Sequence, residues 1–199
     1  MPVHHVARLV LCAPDVDVGR RSVFAHLWPA GQRLAEHVAA HAAQVAGRRV
    51  IELGSALGAP GLTAARAGAD VLLTDVEPEA LELAAANARA NGLDVATRRL
   101  RWGDVPRDLR GRFDIVLGAD VTYDPHERAP LLATIARLLA PGGLAWLADP
   151  ERTSRRELAH HTSLAIEQLA RVAAPADLPT SDGSGDRDVI IYRLHRSSP

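Results

Sequence analysis

The chain has 199 residues, a formal net charge of −1, and a composition in which 47% of residues are hydrophobic. This length suits one domain with a substantial core, and the near-neutral charge gives no overall electrostatic preference for nucleic acid or anionic membranes. The sequence contains no lysine and only one cysteine, Cys12. An intrachain disulfide is therefore impossible. Enzymes that need an active-site lysine, such as P-loop nucleoside triphosphatases and pyridoxal-phosphate enzymes, are excluded as well.

Targeting and membrane signals are missing from the sequence. No apolar stretch approaches the roughly 20 residues of a membrane-spanning helix, and the amino terminus lacks the apolar core of a signal peptide. We therefore expect a cytoplasmic protein that does not associate with membranes and that is a monomer. We expect one domain over residues 1–199, with a strand and helix extension over 1–46 and a seven-stranded core over 47–199.

The amino-terminal extension predicts one strand over residues 6–12 and one helix from Pro29 to about Val45, which ends before Gly47. His37 and His41 are four residues apart on this helix, a spacing that could chelate a metal ion. No third ligand accompanies them in the sequence, so no metal site is predicted.

Residues 50–61 (VIELGSALGAPG) form the first informative stretch. The apolar run at its start predicts a buried parallel strand, and Gly54, Gly58 and Gly61 predict a sharp turn into a helix. Glycine allows backbone angles that a Cβ atom forbids and lets the backbone approach a ligand closely. The amino terminus of the following helix offers N–H groups to such a ligand.

Two residues of this stretch distinguish between possible ligands. The dinucleotide fingerprint G-x-G-x-x-G needs glycine at the position that Ala56 occupies. Glu52 lies on the strand just before the turn, where its carboxylate would repel a diphosphate and attract a cationic amino group. The stretch therefore favours S-adenosylmethionine over a dinucleotide.

The next two strands supply two further candidate cofactor residues. A strand over residues 70–74 ends at Asp75, about 20 residues past the first glycine, where an acid can accept hydrogen bonds from ribose hydroxyls. Pro78 opens a helix that ends at residues 91–92. A third strand within residues 95–101 leads to Trp102, whose ring offers a face for adenine.

Residues 112–125 (RFDIVLGADVTYDP) form the second informative stretch. A buried strand over residues 115–117 is followed by Asp120 and, three residues later, by Tyr123. Ligands of open parallel sheets bind outside the carboxyl ends of the strands, so Asp120 is placed for chemistry. A helix N-cap is the alternative role for Asp120.

The remaining chain predicts a helix that ends at a turn over residues 141–143, then a strand over 144–148. A capping box at residues 154–157 predicts a helix to about Val172, and a last strand follows over 189–194. The stretch 175–186 could hold the partner of that strand in a hairpin. Alternating strands and helices indicate an α/β fold, a Rossmann-like doubly wound sheet that is mostly parallel with an antiparallel last strand.

These motifs carry a resemblance to a known family. Residues 52–58 resemble motif I of the class I, seven-β-strand methyltransferases, E/D-x-G-x-G-x-G, with Ala56 in place of the middle glycine. Over about residues 24–152 the chain resembles the protein lysine methyltransferases of that class, and within them the electron-transfer-flavoprotein β-subunit lysine methyltransferase group. The segments that carry this resemblance are 24–31 (FAHLWPAG), 52–61, 74–75, 102–104 (WGD), 119–123 (ADVTY) and the exit 149–152 (DPER).

The resemblance implies S-adenosylmethionine as the cofactor and a lysine side chain of a protein as the methyl acceptor. It assigns Asp120 to the acceptor nitrogen and Tyr123 to the wall of the acceptor pocket, both as catalytic residues. The cofactor residues are then Trp28, Glu52, Gly54, Ser55, Ala56, Gly58, Asp75, Val76, Trp102 and Ala119.

Three other activities are weighed against this interpretation. A small-molecule amine N-methyltransferase stays open, because the short chain adds no obvious insertion for docking a protein. A nucleic-acid N-methyltransferase with a D-P-P-Y motif is disfavoured, because Val121 and Thr122 replace the prolines and the net charge is near zero. An NAD-dependent oxidoreductase would share Asp75, but Glu52 and Ala56 oppose it.

Overall fold

The fold is described from a computed structural model that covers residues 3–12, 23–175, 178 and 188–196. In these ranges the strands are β1 (Val3–Val6), β2 (Leu9–Cys12), β3 (Arg49–Leu53), β4 (Asp70–Asp75), β5 (Ala96–Arg99), β6 (Phe113–Ala119), β7 (Leu139–Asp149), β8 (Ala165–Val172) and β9 (Val189–His195). The helices are α1 (Pro29–Ala40), α2 (Ala42–Val45), α3 (Ala59–Arg66), α4 (Pro78–Ala90), α5 (Arg128–Leu138) and α6 (Arg155–Ala159), with short 3-10 turns at Val23–Ala25 and Arg107–Leu109. None of the helices in the described ranges is long and apolar enough to cross a membrane.

Seven strands form the central sheet in the order β5-β4-β3-β6-β7-β9-β8. The strands β3 to β7 are all parallel, whereas β9 runs antiparallel to both β7 and β8. This confirms the predicted Rossmann-like sheet with an antiparallel last strand. The chain moves outward from β3 to β5 and then returns to the other side of β3 with β6. The loops after β3 and β6 therefore diverge and leave a crevice between them.

Apolar side chains are buried on both faces of this sheet. On β3, Val50 and Ile51 are each fully buried but belong to different clusters. Val50 packs in the cluster that includes residues of α1, α3 and α4, while Ile51 packs in the cluster that includes residues of α5. Burial on both faces explains why the parallel strands are read in the sequence as continuous apolar runs.

The prediction of a single strand over residues 6–12 is wrong, because the chain forms the hairpin of β1 and β2 there. Ala7 and Arg8 make the turn with positive φ angles of 47° and 67°. Two-residue hairpin turns with two positive φ angles usually carry Asn-Gly. Alanine and arginine are not typical of such turns, so the sequence gives no signal for the hairpin. The helix predicted from Pro29 to about Val45 is present but is interrupted at His41, between α1 and α2.

The prediction of a helix from residue 154 to about Val172 is also wrong beyond Ala159. The capping box exists, with the Ser154 and Glu157 side chains each accepting the other's backbone N–H, but α6 has only five residues. Residues 165–172 form β8 and pair with β9 instead. Of the stretch 175–186 only residues 175 and 178 are described, so the hairpin strand predicted there lies outside the described residues.

The end of α5 also differs from the sequence-based prediction. The helix stops at Leu138, and β7 begins at the next residue and continues to Asp149. The predicted turn at residues 141–143 lies within this span: Gly142 has a positive φ of 75°, and the residues paired with β6 jump from Leu139 to Leu144. The pairing of β6 with β7 shifts register between Phe113 and Ile115, which accommodates these residues.

Candidate cofactor and acceptor site

A cavity of about 700 Å³ lies at the carboxyl ends of the central parallel strands. This size is in the usual range for a small-molecule site. Its walls are formed by Phe24, Trp28, Gly54, Ala56, Asp75, Val76, Glu77, Glu79, Leu100, Arg101, Trp102, Ala119, Asp120, Val121, Tyr123 and Glu127. The structure thus brings together most of the site residues predicted from the sequence.

The loop between β3 and α3 forms the floor of the cavity with an unusual backbone. Gly54, Ala56 and Gly58 have positive φ angles of 64°, 46° and 81°. A Cβ atom on Gly54 would lie 3.0 Å from a Val121 methyl and 3.7 Å from the Trp102 ring. Glycine at position 54 therefore keeps open the space between the loop, β6 and Trp102.

Glu52, Ser55 and Gly58, three of the predicted cofactor residues, do not line the cavity. Glu52 is buried, and its Oε2 accepts the Gly61 N–H of α3 at 2.9 Å. Burial raises the pKa of Glu52 to about 8. A Cβ atom on Gly61 would stand 2.6 Å from that oxygen, which explains why glycine occupies this position. Glu52 thus ties the strand end to the amino terminus of α3 from below the loop.

Asp75 joins the loops after β3 and β4 at the edge of the cavity. Its Oδ2 accepts the Ala56 N–H at 3.2 Å, and its Oδ1 accepts the Glu77 N–H at 3.0 Å. The residue is 9% exposed, and burial raises the pKa of its carboxyl group. Each oxygen keeps a second lone pair, so the carboxylate can still accept two hydroxyl donors.

Aromatic side chains close the cavity around this carboxylate. Trp102 follows β5 and is half-buried, and Val76 and Leu100 line the wall near it. Phe24 and Trp28, which precede α1, line the cavity as well. A flat heterocycle can therefore lie against apolar and aromatic faces while its polar groups reach Asp75.

Asp120 lies at the end of β6 with a positive φ of 57° and lines the cavity. Its Oδ1 forms an ion pair with Arg152, which follows β7. The alternative role as a helix N-cap is wrong, because α5 begins at Arg128 and is preceded by Glu127. In the sequence Arg152 appears only as part of the exit motif at residues 149–152, and the ion pair places it beside the site.

Tyr123 lines the mouth of the cavity with 60% of its surface exposed. Partial burial raises the pKa of its hydroxyl, and the carboxylates of Asp124, Asp75 and Glu127 add to this effect. The phenol is therefore neutral at pH 7 and can both donate and accept a hydrogen bond.

His37 and His41 lie away from this cavity. Their rings are 4.1 Å apart, and both rings contact the buried Trp146, at 4.8 and 5.6 Å. Burial lowers the pKa of His37 to about 4, with a further contribution from His41. Among the described residues there is no group of three or more metal-binding side chains.

A sequence profile of the lysine methyltransferase family matches residues 15–161. The chain belongs to this lysine methyltransferase family. The family match covers the glycine loop, Asp75, Trp102 and the Asp120–Tyr123 segment, which are the parts of the chain that build the cavity. The protein is therefore an S-adenosylmethionine-dependent methyltransferase. The alternative of an NAD-dependent oxidoreductase does not apply.

Similar proteins support the assignment of this chain to the lysine methyltransferase family. EEF1A lysine methyltransferase 3 of Mus musculus is 32% identical over 177 residues, covering 81% of this chain and 76% of the relative. The electron transfer flavoprotein beta subunit lysine methyltransferase of Rattus norvegicus is 31% identical, covering 84% and 65%. The histone-arginine methyltransferase METTL23 of Xenopus laevis is 34% identical over 119 residues, covering 57% and 51%.

The fold has solved counterparts as well. The magnesium protoporphyrin IX methyltransferase from Synechocystis PCC 6803, solved with bound S-adenosylmethionine, superposes with a TM-score of 0.63 at 18% identity. That comparison covers 85% of this chain and 80% of the other. At this identity the likeness concerns the fold, and it confirms the Rossmann-like methyltransferase architecture.

Proposed function

We propose that this methyltransferase transfers a methyl group to the side-chain nitrogen of a lysine in a protein substrate, with Asp120 and Tyr123 as its catalytic residues. The observation that carries this proposal is the position of Asp120, which lines the same cavity as Gly54, Asp75 and Trp102. The family match and the lysine methyltransferases among the relatives support a protein lysine as the acceptor.

The cavity fits S-adenosylmethionine in its size and in its donor and acceptor groups. Asp75 would accept hydrogen bonds from the ribose hydroxyls, and Trp102 and Val76 would contact the adenine. Gly54 and Ala56 would lie under the methionine moiety, with Trp28 and Ala119 beside it. When bound, the cofactor supplies an electrophilic methyl group on a sulfonium sulfur.

Glu52, Ser55 and Gly58 would contribute indirectly, by holding the loop that carries Gly54 and Ala56. The Oγ of Ser55 is buried and has no hydrogen-bond partner among the described residues, while its backbone N–H donates to the Thr74 carbonyl at 2.9 Å. This backbone hydrogen bond to β4 helps to hold the loop in place.

Asp120 would prepare the acceptor for reaction. A lysine amine with an ordinary pKa near ~10.4 is almost fully protonated at pH 7 and cannot act as a nucleophile. Entry into a partly desolvated cavity favours the neutral amine. A carboxylate beside it can orient the nitrogen and stabilise the positive charge that grows on it during transfer, while Tyr123 forms the wall and can accept one N–H.

The acceptor residue can be identified directly. The protein is incubated with methyl-tritiated S-adenosylmethionine and a dialysed lysate of the source organism, and the labelled protein is hydrolysed for amino-acid analysis. We expect tritium in methyllysine. Label in methylarginine, the product implied by the name of the METTL23 relative, would contradict the proposal. In a second reaction the small molecules removed by dialysis are added back. Label found only in those small molecules would indicate that the methyl acceptor is a small-molecule amine.

The role of Asp120 can be separated from cofactor binding with Asp120→Asn. Asparagine tolerates the positive φ at this position, so the change removes the charge without adding backbone strain. We expect methyl transfer to fall by about a hundredfold or more, while the affinity for S-adenosylmethionine measured by calorimetry changes by less than about threefold. Asp124→Asn is the matched control, because Asp124 adjoins Tyr123 but does not line the cavity.

Two results would contradict this role of Asp120. Loss of cofactor binding with near-normal turnover at saturation would place Asp120 in the cofactor site. An equal loss of activity in Asp124→Asn would show that negative charge near Tyr123, rather than Asp120 itself, matters for transfer.

A further inference from the structure

The ends of two neighbouring parallel strands bring an acid and a base together beside the cavity. Asp120 follows β6 and Arg152 follows β7, and the backbone N–H of Asp120 donates to the Ala148 carbonyl of β7 at 2.9 Å. The Asp120 carboxylate and the Arg152 guanidinium form an ion pair in which the side chains are only 8% and 13% exposed. The pair is therefore far better shielded from water than a surface ion pair.

The turn that carries Arg152 is held rigidly by a buried carboxylate at the end of β7. Asp149 Oδ1 accepts the backbone N–H groups of Arg152 at 2.7 Å and of Thr153 at 3.1 Å. Asp149 Oδ2 accepts the hydroxyl of Thr122, which lies between Asp120 and Tyr123 in the sequence. One carboxylate thus fixes the backbone of Arg152 relative to the segment that carries Asp120.

Two further hydrogen bonds complete this attachment. The Thr153 hydroxyl lies 3.2 Å from the Thr122 hydroxyl, and Tyr192 of β9 donates its hydroxyl proton to the Thr153 carbonyl at 3.1 Å. The turn after β7 is therefore anchored both to the acceptor segment and to the antiparallel strand. The backbone of Arg152 is therefore fixed beside the segment that carries Asp120.

We propose that Arg152 is the positioning residue for Asp120: it holds Oδ1 and thereby fixes the orientation in which Oδ2 meets the acceptor amine. This inference rests on the proposed role of Asp120 in methyl transfer. The ion pair joins Arg152 to Oδ1, and Asp120 also lines the cavity, so the same carboxylate can meet Arg152 through one oxygen and the acceptor amine through the other. A carboxylate that is already fixed loses little rotational freedom when the amine enters.

The Arg152 charge also keeps the pair stable before the substrate arrives. A lone carboxylate that is shielded to this degree would carry an uncompensated desolvation penalty. With Arg152 in place, the empty site holds an ion pair, and the amine adds to it rather than replacing the guanidinium. Arg152 acts through Asp120 and need not contact either substrate.

The experiment combines three changes at these two positions. Arg152→Met removes the charge and keeps the length, Arg152→Lys keeps the charge, and Arg152→Met is also made in the Asp120→Asn background. The initial rate of total methyl incorporation into protein of the dialysed lysate is measured at saturating S-adenosylmethionine. Each rate is measured at least 15 °C below the melting temperature of that variant, roughly the margin that keeps the unfolded fraction negligible.

The expected result is a coupled loss. Arg152→Met should lower the rate at least tenfold, and Arg152→Lys should recover at least a third of the wild-type rate. In the Asp120→Asn background, Arg152→Met should lower the rate by less than threefold, because the carboxylate that Arg152 positions is already gone. The affinity for S-adenosylmethionine should stay within threefold throughout.

Arg128→Met is the matched control. Arg128 is 12% exposed and its Nε donates to the Thr122 carbonyl at 2.9 Å, so it supports the same segment without contacting Asp120. We expect it to lower the melting temperature but to leave the rate within threefold. Equal rate losses in Arg128→Met and Arg152→Met would overturn the proposal. Multiplicative losses would overturn it as well, that is, the same fold-loss of rate from Arg152→Met in the Asp120→Asn background as in the wild-type background.

This design also separates the positioning role from the identity of the acceptor. The rate counts every methyl group transferred to protein, whereas amino-acid analysis of the same samples shows which residue carries it. Methylarginine with a coupled loss would overturn the lysine assignment and support the role of Arg152. Methyllysine with multiplicative losses would do the reverse.

Discussion

Ala56 occupies a position where the backbone favours glycine. Its φ of 46° lies in the left-handed region, and the motif that residues 52–58 resemble carries glycine there. Ala56→Gly would relieve a strain of about 1–2 kcal/mol, offset by about 0.5–1 kcal/mol of extra chain entropy in the unfolded state. We expect the free energy of unfolding, measured by urea denaturation, to rise by up to about 1 kcal/mol. A decrease would show that the Ala56 methyl makes packing contacts that exceed the strain.

Asp75 should carry a large part of the cofactor affinity. Asp75→Ala removes the acceptor of two ribose hydroxyls, so calorimetry should show S-adenosylmethionine binding weakened by about 1–3 kcal/mol. Glu79→Ala is the control, because Glu79 also lines the cavity but is exposed on the first turn of α4. Unchanged affinity in Asp75→Ala would remove Asp75 from the ribose site.

The buried Glu52 should make the stability of the protein depend on pH. Its folded-state pKa is raised to about 8 from an ordinary value of 4.5. Between these values the folded protein binds a proton that the unfolded chain has lost. The stabilisation that the folded protein gains by holding this proton on Glu52 is therefore complete below about pH 4.5 and is lost as the pH rises to about 8.

Glu52→Gln tests this linkage, because the amide cannot titrate and its oxygen can still accept the Gly61 N–H. We expect the variant to gain stability relative to wild type as the pH rises from 5 to 8, by a few kcal/mol at most. Urea denaturation at four pH values measures the difference. The exposed Glu77→Gln serves as the control, and parallel pH curves for wild type and Glu52→Gln would refute the raised pKa.

Residues at strand ends were predictable in a way that Arg152 was not. Asp75 ends a strand and Trp102 and Asp120 come shortly after strands, and the carboxyl ends of parallel strands share one edge of the sheet, so the sequence predicts all three in the site. Glu52 is on a strand too, but its side chain faces α3, which the sequence does not specify. The contact of Arg152 with Asp120 depends on the adjacency of β6 and β7 and on the path of an irregular turn.

At the scale of elements, the sequence predicted those with strong local signals. Pro78 and residues 91–92 bracket α4 closely, because proline at a helix start and Asn-Gly after its end act locally. Residues 165–172 (AIEQLARV) contain good helix formers, and the structure makes them a strand. Pairing with β9 decides their conformation, since Ile166 is buried there and Glu167 pairs with Arg193. Such long-range pairing cannot be read from a local pattern.

Side chains on and just after helix α4 accept backbone hydrogen bonds from the amino-terminal hairpin, as the backbone of a neighbouring strand would. Asn87 Oδ1 accepts the Cys12 N–H at 2.9 Å, and Asn91 Oδ1 accepts the Val10 N–H at 2.9 Å, so two amides four residues apart bind alternate residues of β2. Asn87 is buried and also donates to the Leu57 carbonyl at 3.1 Å. The hairpin, α4 and the glycine loop are thus connected through one side chain.

This connection predicts unequal effects of two similar substitutions. Asn87→Ala leaves the part-buried Cys12 N–H and the buried Leu57 carbonyl unpaired, so the free energy of unfolding should fall by about 1–3 kcal/mol. Asn91→Ala should cost less, because its bond to Val10 is exposed to water. Hydrogen exchange should accelerate at the Cys12 amide in the first variant and at the Val10 amide in the second. Equal losses of stability would contradict the burial argument.

At the scale of the whole molecule, the type of sheet could be predicted from the sequence, whereas the order of its strands comes from the structure. Apolar runs that alternate with helices indicated a parallel sheet, and right-handed crossovers leave few ways to arrange it. The reversal between β3 and β6 then sets the position of the cavity. The hairpin of β1 and β2 was not predicted, because its turn at residues 7–8 lacks the usual turn residues.

The reversal of the chain between β5 and β6 has a consequence for how the two halves of the protein hold together. Gly54, Asp75 and Trp102 come from the first half, while Ala119 and Asp120 come from the second, and they meet across the cavity. A ligand bound there is a non-covalent cross-link between the halves. For a chain cut between the exposed residues 110 and 111, S-adenosylmethionine at about a hundredfold excess over its dissociation constant should strengthen reassociation of the two pieces by about 2.7 kcal/mol. Neither piece alone holds a complete set of contacts, so each should bind the cofactor far more weakly than the pair.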